Sequence, residues 1–207
     1  MSVFEYDDDI HKREGIRYLC GVDEAGRGCL AGPVFAAALV LPRGFELDGL
    51  DDSKKLNKNQ RERFYDIIID GAIGYSVALV DVDEIERINI LNSALLSMRN
   101  AVKALSLTPD LVLVDGNKLP DMALPSRAVV GGDCKSASIA AASVVAKVER
   151  DRYMVWLAGQ YPGYGFERHK GYGTAFHYSM LTKLGPCPAH RPSFLKKWLA
   201  NDRAERG

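Results

Sequence analysis

Four carboxylates stand at positions where a folded chain can do chemistry: Asp23, Glu24, Asp115 and Asp133. Each follows an apolar run or sits beside glycines, and strand ends are where clefts form. An isolated acid on a loop is ordinarily just solvated. That reading weakens for Asp23 and Asp115, which directly terminate runs that should be buried, because an acid there is costly unless it is paired or holds a cation. Several acids without matching His or Cys point to a hard, oxygen-liganded ion, magnesium or manganese. Two such ions about 4 Å apart can clamp a phosphodiester, one activating water and the other stabilising the leaving oxygen. Neighbouring residues on a regular strand face opposite ways. For Asp23 and Glu24 to share a site, the strand must therefore end or bulge there, with Gly26 as the means.

The turn after these acids, Gly26-Arg27-Gly28-Cys29-Leu30-Ala31, also fits G-x-G-x-x-A, the dinucleotide fingerprint. That motif must open a helix, whereas Gly32-Pro33-Val34 leads into an apolar, strand-like run. A helix starting at Gly28 would favour a nucleotide-dependent oxidoreductase; a strand would end that reading. The same turn, with exposed N–H groups and one arginine, can instead grip a phosphate or sugar edge.

The elements that position these groups follow from periodicity and punctuation. Residues 18–23 and 34–41 read as strands, 57–70 as a helix and 75–80 as a strand. Asp81 or Asp83 caps one long helix through Leu105, with Ile85, Ile88, Leu91, Leu95 and Met98 at helical spacing. Residues 111–114 form a strand that delivers Asp115, 128–130 a last strand, and 136–160 a helix. Residues 161–192 hold one short helix near 175–184, and a terminal helix starts near Ser193. This order predicts an α/β domain with a mixed sheet over 1–160 and a helical C-terminal segment over 161–207.

The 207 residues carry 27 basic and 27 acidic side chains, so whole-molecule charge gives no argument for nucleic acid and only local patches can. Met1 to Glu14 is acidic and polar without an apolar signal core, and no apolar run approaches a membrane span. A cytoplasmic, non-membrane monomer is the expectation. Cys20, Cys29, Cys134 and Cys187 form no CxxC pair, and two of them, in apolar or small-residue surroundings, read as free buried thiols; Cys187 near His190 lacks the second ligand pair a zinc site needs.

The motifs taken together resemble the type 2 ribonucleases H, the bacterial ribonuclease HII family. The resemblance rests on Asp23-Glu24-Ala25-Gly26-Arg27-Gly28 with Leu30-Ala31-Gly32-Pro33-Val34, on Asp51-Asp52-Ser53-Lys54-Lys55-Leu56, and on Val114-Asp115-Gly116-Asn117. Gly132-Asp133, Ser138 through Val148 with Arg150-Asp151, His169-Lys170-Gly171-Tyr172-Gly173-Thr174 and the 186–194 segment complete it, in order, over roughly residues 18–194. It implies a ribonuclease H-like mixed sheet flanked by helices, with a small helical C-terminal extension. It implies that Asp23, Glu24, Asp115 and Asp133 are the catalytic, metal-binding acids, holding two Mn2+ or Mg2+ ions in the reacting complex. Gly26, Arg27 and Gly28 would contact the 2′-hydroxyl at an RNA–DNA junction, and Tyr172 would pack on the adjoining deoxyribose. Ser53, Lys54 and Lys55 would bind substrate, the lysines at phosphate. The implied reaction is cleavage of the RNA strand of RNA–DNA hybrids, and cutting 5′ of ribonucleotides embedded in duplex DNA, leaving 5′-phosphate and 3′-hydroxyl. The implied roles are ribonucleotide removal from DNA and RNA primer removal. Only 22 residues precede Asp23, too few for the large N-terminal domain of the sister type III enzymes.

Other polar groups stay less determined. Arg61 and Arg63 read as a solvated helix face. Lys147 and Arg150 either steady the acids or pair with Glu149 and Asp151. His177 and His190 either touch nucleic acid or brace the C-terminal helices. The rival function is a non-catalytic hybrid-binding protein, against which the presence of all four acids argues.

Overall fold

The computed structural model describes residues 2–50 and 56–206. Eight helices and five strands are among the described residues: α1 Val3–Glu14, β1 Leu19–Ala25, β2 Val34–Val40, α2 Lys58–Gly71, β3 Gly74–Val80, α3 Val82–Ile88, α4 Ile90–Lys103, β4 Leu111–Asp115, β5 Ser126–Val129, α5 Ala137–Gln160, α6 Phe166–His169, α7 Ala175–Leu184 and α8 Pro192–Arg206. The strands form one mixed sheet in the order β3-β2-β1-β4-β5. β1 pairs antiparallel with β2 and parallel with β4, and β4 pairs parallel with β5.

Both sheet faces are covered, so β2 is buried along its whole length and reads as a continuous apolar run. Ala37 and Leu39 face a core shared with α5 and α2, while Ala36, Ala38 and Val40 face the core under α4. Helix α5 crosses β1 so closely that a Cβ on Gly21 would lie 2.1 Å from the Ser138 carbonyl carbon. Glycine at 21 is what lets the central helix sit over β1. Asp7 of α1 fastens the start of that helix, its Oδ2 accepting from Ser138 N and Oγ, each at 2.8 Å.

Three elements differ from the sequence expectation. Residues 3–14 form a helix that the polar composition hid; its signal is the capping box between Ser2 and Glu5. The long helix expected from 81 to 105 breaks at Asn89, which takes φ 69° and caps α4 by accepting from Leu91 N and Asn92 N. Asparagine tolerates this left-handed conformation better than most residues. A short helix, α6, also lies inside the 161–192 segment. Among the described residues no helix is long and apolar enough to cross a membrane.

Candidate active site

The ladder between β1 and β4 ends at Val22↔Val114, so Asp23 and Asp115 leave adjacent parallel strands side by side. Leu111 and Leu113 pack with Ile139 of α5, and alternation puts Asp115 on that same face of the sheet. Beyond β5 the chain turns through Gly131 at φ 64° into a 3-10 turn, Gly132–Cys134, which holds the buried Asp133. Gly132 N donates to Asp115 Oδ1 at 2.6 Å. A Cβ at Gly132 would stand 3.2 Å from that oxygen and 2.5 Å from Ile139 Cδ1, so this approach needs glycine.

The expected break between Asp23 and Glu24 is absent. β1 keeps a regular register against β2 through Glu24↔Ala36 and Ala25↔Phe35, and Gly26 turns the chain only afterwards, at φ 101°. The two acids therefore depart on opposite sides of the strand, beyond the last β4 pair and at the open end of the central strands. Glu24 Oε1 accepts from Arg27 Nη1 at 3.0 Å. Its charge still reaches Asp23, whose carboxyl is pushed well above the usual range by burial first, then by Glu24 and Asp115. Hydrogen bonds from Glu24 N and the Ser143 hydroxyl act the other way without prevailing.

This donor set, all carboxylate oxygen with crowded negative charge, fits a hard divalent cation. As they stand, no three or more His, Cys, Asp or Glu side chains among the described residues are gathered closely enough to hold an ion. Glu24 is turned toward Arg27 instead.

Beside the acids opens a cleft lined by Glu24, the Gly26–Gly28 turn, Arg61, Ser143, Lys147 and Tyr172. Ser143, Lys147 and Arg150 share one side of α5 by their spacing of four and three. Lys147 Nζ lies 2.6 Å from Asp151 Oδ1, and Arg61 Nη1 3.9 Å from Asp151 Oδ2. Arg61 thus faces the cleft rather than open solvent, contrary to expectation, because α2 packs along α5. Tyr172 is 43% exposed, with Lys147 Nζ 5.4 Å from its ring centroid and the buried Cys29 thiol hydrogen-bonded to it.

Two fully buried arginines, whose role sequence reading did not find, hold this wall. Arg150 Nε donates to Pro33 O, Nη1 to Lys170 O and Nη2 to Ala31 O, at 3.1, 2.9 and 3.1 Å. Arg191 donates from Nε and Nη2 to Gly32 O and from Nη1 to Arg27 O, at 2.9, 2.7 and 3.1 Å. Burial, then Arg150, lowers the Arg191 pKa to about 10. Backbone completes the lattice: Leu30 N donates to Gly171 O, Gly32 N to Ala189 O and Arg191 N to Leu30 O. No helix starts at Gly28; a turn and a bridge between Ala31 and His190 lead into β2, which ends the dinucleotide reading.

The two glycines of the turn differ. A Cβ at Gly26 would meet Arg150 Nε at 2.0 Å, so the fold itself demands glycine there. At Gly28 nothing lies within 4 Å and φ is not positive, so nothing within the fold demands it. Ser53, Lys54 and Lys55 lie outside the described residues. His177 and His190 are 0% and 2% exposed, so they brace the C-terminal segment and do not meet a ligand directly.

A mixed five-stranded sheet between helices, with acids at the open end of its parallel strands, defines a protein of ribonuclease H-like fold. Comparison with known proteins narrows this. The ribonuclease HII family profile matches residues 20–197. Ribonuclease HII of Caldicellulosiruptor saccharolyticus is 52% identical over 198 residues, covering 96% of each chain. That of Burkholderia mallei is 53% identical over 176 residues, 85% of this chain and 82% of its own. Among solved structures, ribonuclease H2 from Pyrococcus horikoshii superposes with a TM-score of 0.73 at 26% identity, covering 90% of this chain and 99% of its own. A ribonuclease HIII solved with Mn2+, TM-score 0.68 at 19% identity over 90% of this chain and 70% of its own, shares the fold. The chain belongs to the ribonuclease HII family, and is thereby a ribonuclease H hydrolase.

Proposed function

We propose that this chain cleaves the RNA strand of RNA–DNA hybrids and nicks duplex DNA on the 5′ side of embedded ribonucleotides, leaving 5′-phosphate and 3′-hydroxyl ends. The observation that carries the reading is the pairing of Asp23 and Asp115 at the strand ends, beside a glycine turn whose Gly28 has no reason within the fold to be glycine. Asp23, Glu24, Asp115 and Asp133 would hold two divalent ions, Mn2+ or Mg2+, whose chemistry is to activate water and stabilise the leaving 3′-oxygen. For that, Glu24 turns from Arg27 toward Asp23.

The rest of the cleft reads the substrate. Discriminating RNA from DNA at one position requires sensing a 2′-hydroxyl, both donor and acceptor. Backbone groups around Gly28 can approach it because no side chain intervenes. Arg27 and Lys147, with Arg61 behind Asp151, supply positive charge for the phosphates, as would Lys54 and Lys55, with the Ser53 hydroxyl as a further substrate contact. Tyr172 packs against the neighbouring deoxyribose. Residues 161–207 form the segment that adds substrate contacts to the 1–160 catalytic part, and ribonucleotide and RNA-primer removal are the tasks this reaction suits.

The test is an end-labelled DNA duplex carrying one ribonucleotide, incubated with Mn2+ or Mg2+. A nick 5′ of the ribonucleotide that Asp115→Asn abolishes is the expected result. Retained binding without any nick by the unaltered protein favours the binding-protein alternative.

A further inference from the structure

Behind Tyr172 lie three buried histidines that do not themselves line the cleft. His169 and His177 stack with centroids 4.1 Å apart, and Phe166 meets both edge-on. His177 Nδ1 lies 2.9 Å from Tyr172 O, and its Nε2 lies 3.0 Å from His190 Nε2. His190 Nδ1 in turn accepts from Cys187 N at 3.0 Å.

The Tyr172 carbonyl selects one neutral arrangement of protons for this chain of contacts. A backbone carbonyl only accepts, so His177 carries its proton on Nδ1 and donates to Tyr172 O. Its Nε2 is then an acceptor, so His190 donates from Nε2. His190 Nδ1 is thereby left to accept, from Cys187 N at 3.0 Å and from the Cys187 thiol at 3.1 Å, while Cys187 O lies 3.2 Å away. The Tyr172 carbonyl fixes the direction, and the Cys187 N–H and thiol supply the donors at the far end. Burial holds the two imidazoles neutral, with pKa values lowered to about 4.

Tyr172 is held at its other end too: its N–H donates to His169 O, and Gly171 N donates to His169 Nδ1 at 3.2 Å. A partly exposed ring thus stands on a backbone fixed by buried imidazoles.

We infer that His177 and His190 are positioning residues for junction recognition, a one-directional hydrogen-bond relay from Cys187 N–H to the Tyr172 carbonyl that sets where the tyrosine ring meets the sugar. The inference rests on the proposed role of Tyr172 as the reader of the adjoining deoxyribose. The alternative is a merely structural brace, for which any packed polar side chain would serve.

The two roles separate with His177→Asn and His177→Gln. Asparagine places its amide near the Nδ1 position and can still donate to Tyr172 O. Glutamine reaches the Nε2 position and loses that bond. The readout is the rate on a single embedded ribonucleotide divided by the rate on a long hybrid, measured beside Tyr172→Ala. The relay predicts a ratio near the unaltered protein's for His177→Asn. For His177→Gln it predicts a fall of roughly five- to tenfold, the size of one lost hydrogen bond. A fall with Tyr172→Ala but equal ratios for the two His177 variants overturns the relay and leaves the tyrosine's role standing. No fall with Tyr172→Ala overturns the role of the tyrosine itself, and the relay with it. Should either His177 variant fail to fold, imidazole 15N shifts of the unaltered protein decide: His177 protonated on Nδ1 and His190 on Nε2 supports the relay, and His177 protonated on Nε2 overturns it.

Discussion

The two walls of the cleft are built by opposite means. The acid wall crowds like charges: Asp23 is buried beside Glu24 and Asp115, and its carboxyl rises as a result. The recognition wall buries two arginines whose guanidinium groups are satisfied by backbone carbonyls from three separate segments. One wall is left electrostatically unfinished, and the other is over-determined by hydrogen bonds. On the proposed reading, an unfinished wall can gain a cation, whereas an over-determined one keeps its shape while a sugar edge is read against it. Stability and function should therefore separate along this line.

The largest effect should come from the acid wall. Asp23→Asn should lower cleavage by on the order of 10³-fold, the loss of several kcal/mol of transition-state stabilisation. The same change should raise thermal stability, since it removes a buried charge from among like charges; calorimetry beside the cleavage assay checks both. On the recognition wall the sign of the stability effect reverses. Arg150→Met leaves the carbonyls of Ala31, Pro33 and Lys170 without their donor and should cost about 3 kcal/mol or more in denaturant unfolding. Arg150→Lys should not rescue it, because an ammonium cannot span three carbonyls held by a planar fork.

A pH titration of stability probes the same wall. His177 and His190 are neutral when folded, with pKa values lowered to about 4, whereas an unfolded histidine titrates near 6.5. The unfolded chain binds these protons first, so their contribution is full above about pH 6.5 and is lost as pH falls toward 4. The loss should be no more than about 3 kcal/mol per histidine, and a His177→Asn variant should show a shallower fall. The smallest effects should divide the glycine turn. Gly26→Ala should cost at least about 2 kcal/mol through the clash with Arg150 and the positive φ. Gly28→Ala should change stability by less than about 0.5 kcal/mol and lower cleavage at a single ribonucleotide.

The same contrast marks what was legible in the sequence. Asp23 and Asp115 stood out because each ends an apolar run, and Asp133 because it follows two glycines; the sheet could be read because β2 and β4 are apolar along both faces. The recognition wall was largely hidden. Arg150 and Arg191 look like surface residues in a sequence; only the fold brings carbonyls of residues 27, 31, 32, 33 and 170 around them. Arg61 read as solvated until α2 was packed along α5. The expected break after Asp23 failed because β2 continues to pair with β1 after β4 has stopped. The single helix expected over 81–105 failed because apolar spacing persists across Asn89, while one left-handed asparagine is enough to end one helix and cap the next.

The claim that the acid wall awaits cations can be tested most directly by thermal unfolding with and without Mn2+, for the unaltered chain and for Asp23→Asn. A ligand that binds only the folded state raises stability by linkage. The account predicts a metal-dependent rise in Tm for the unaltered chain that disappears in Asp23→Asn. An equal rise in both, or none in the unaltered chain, would contradict it.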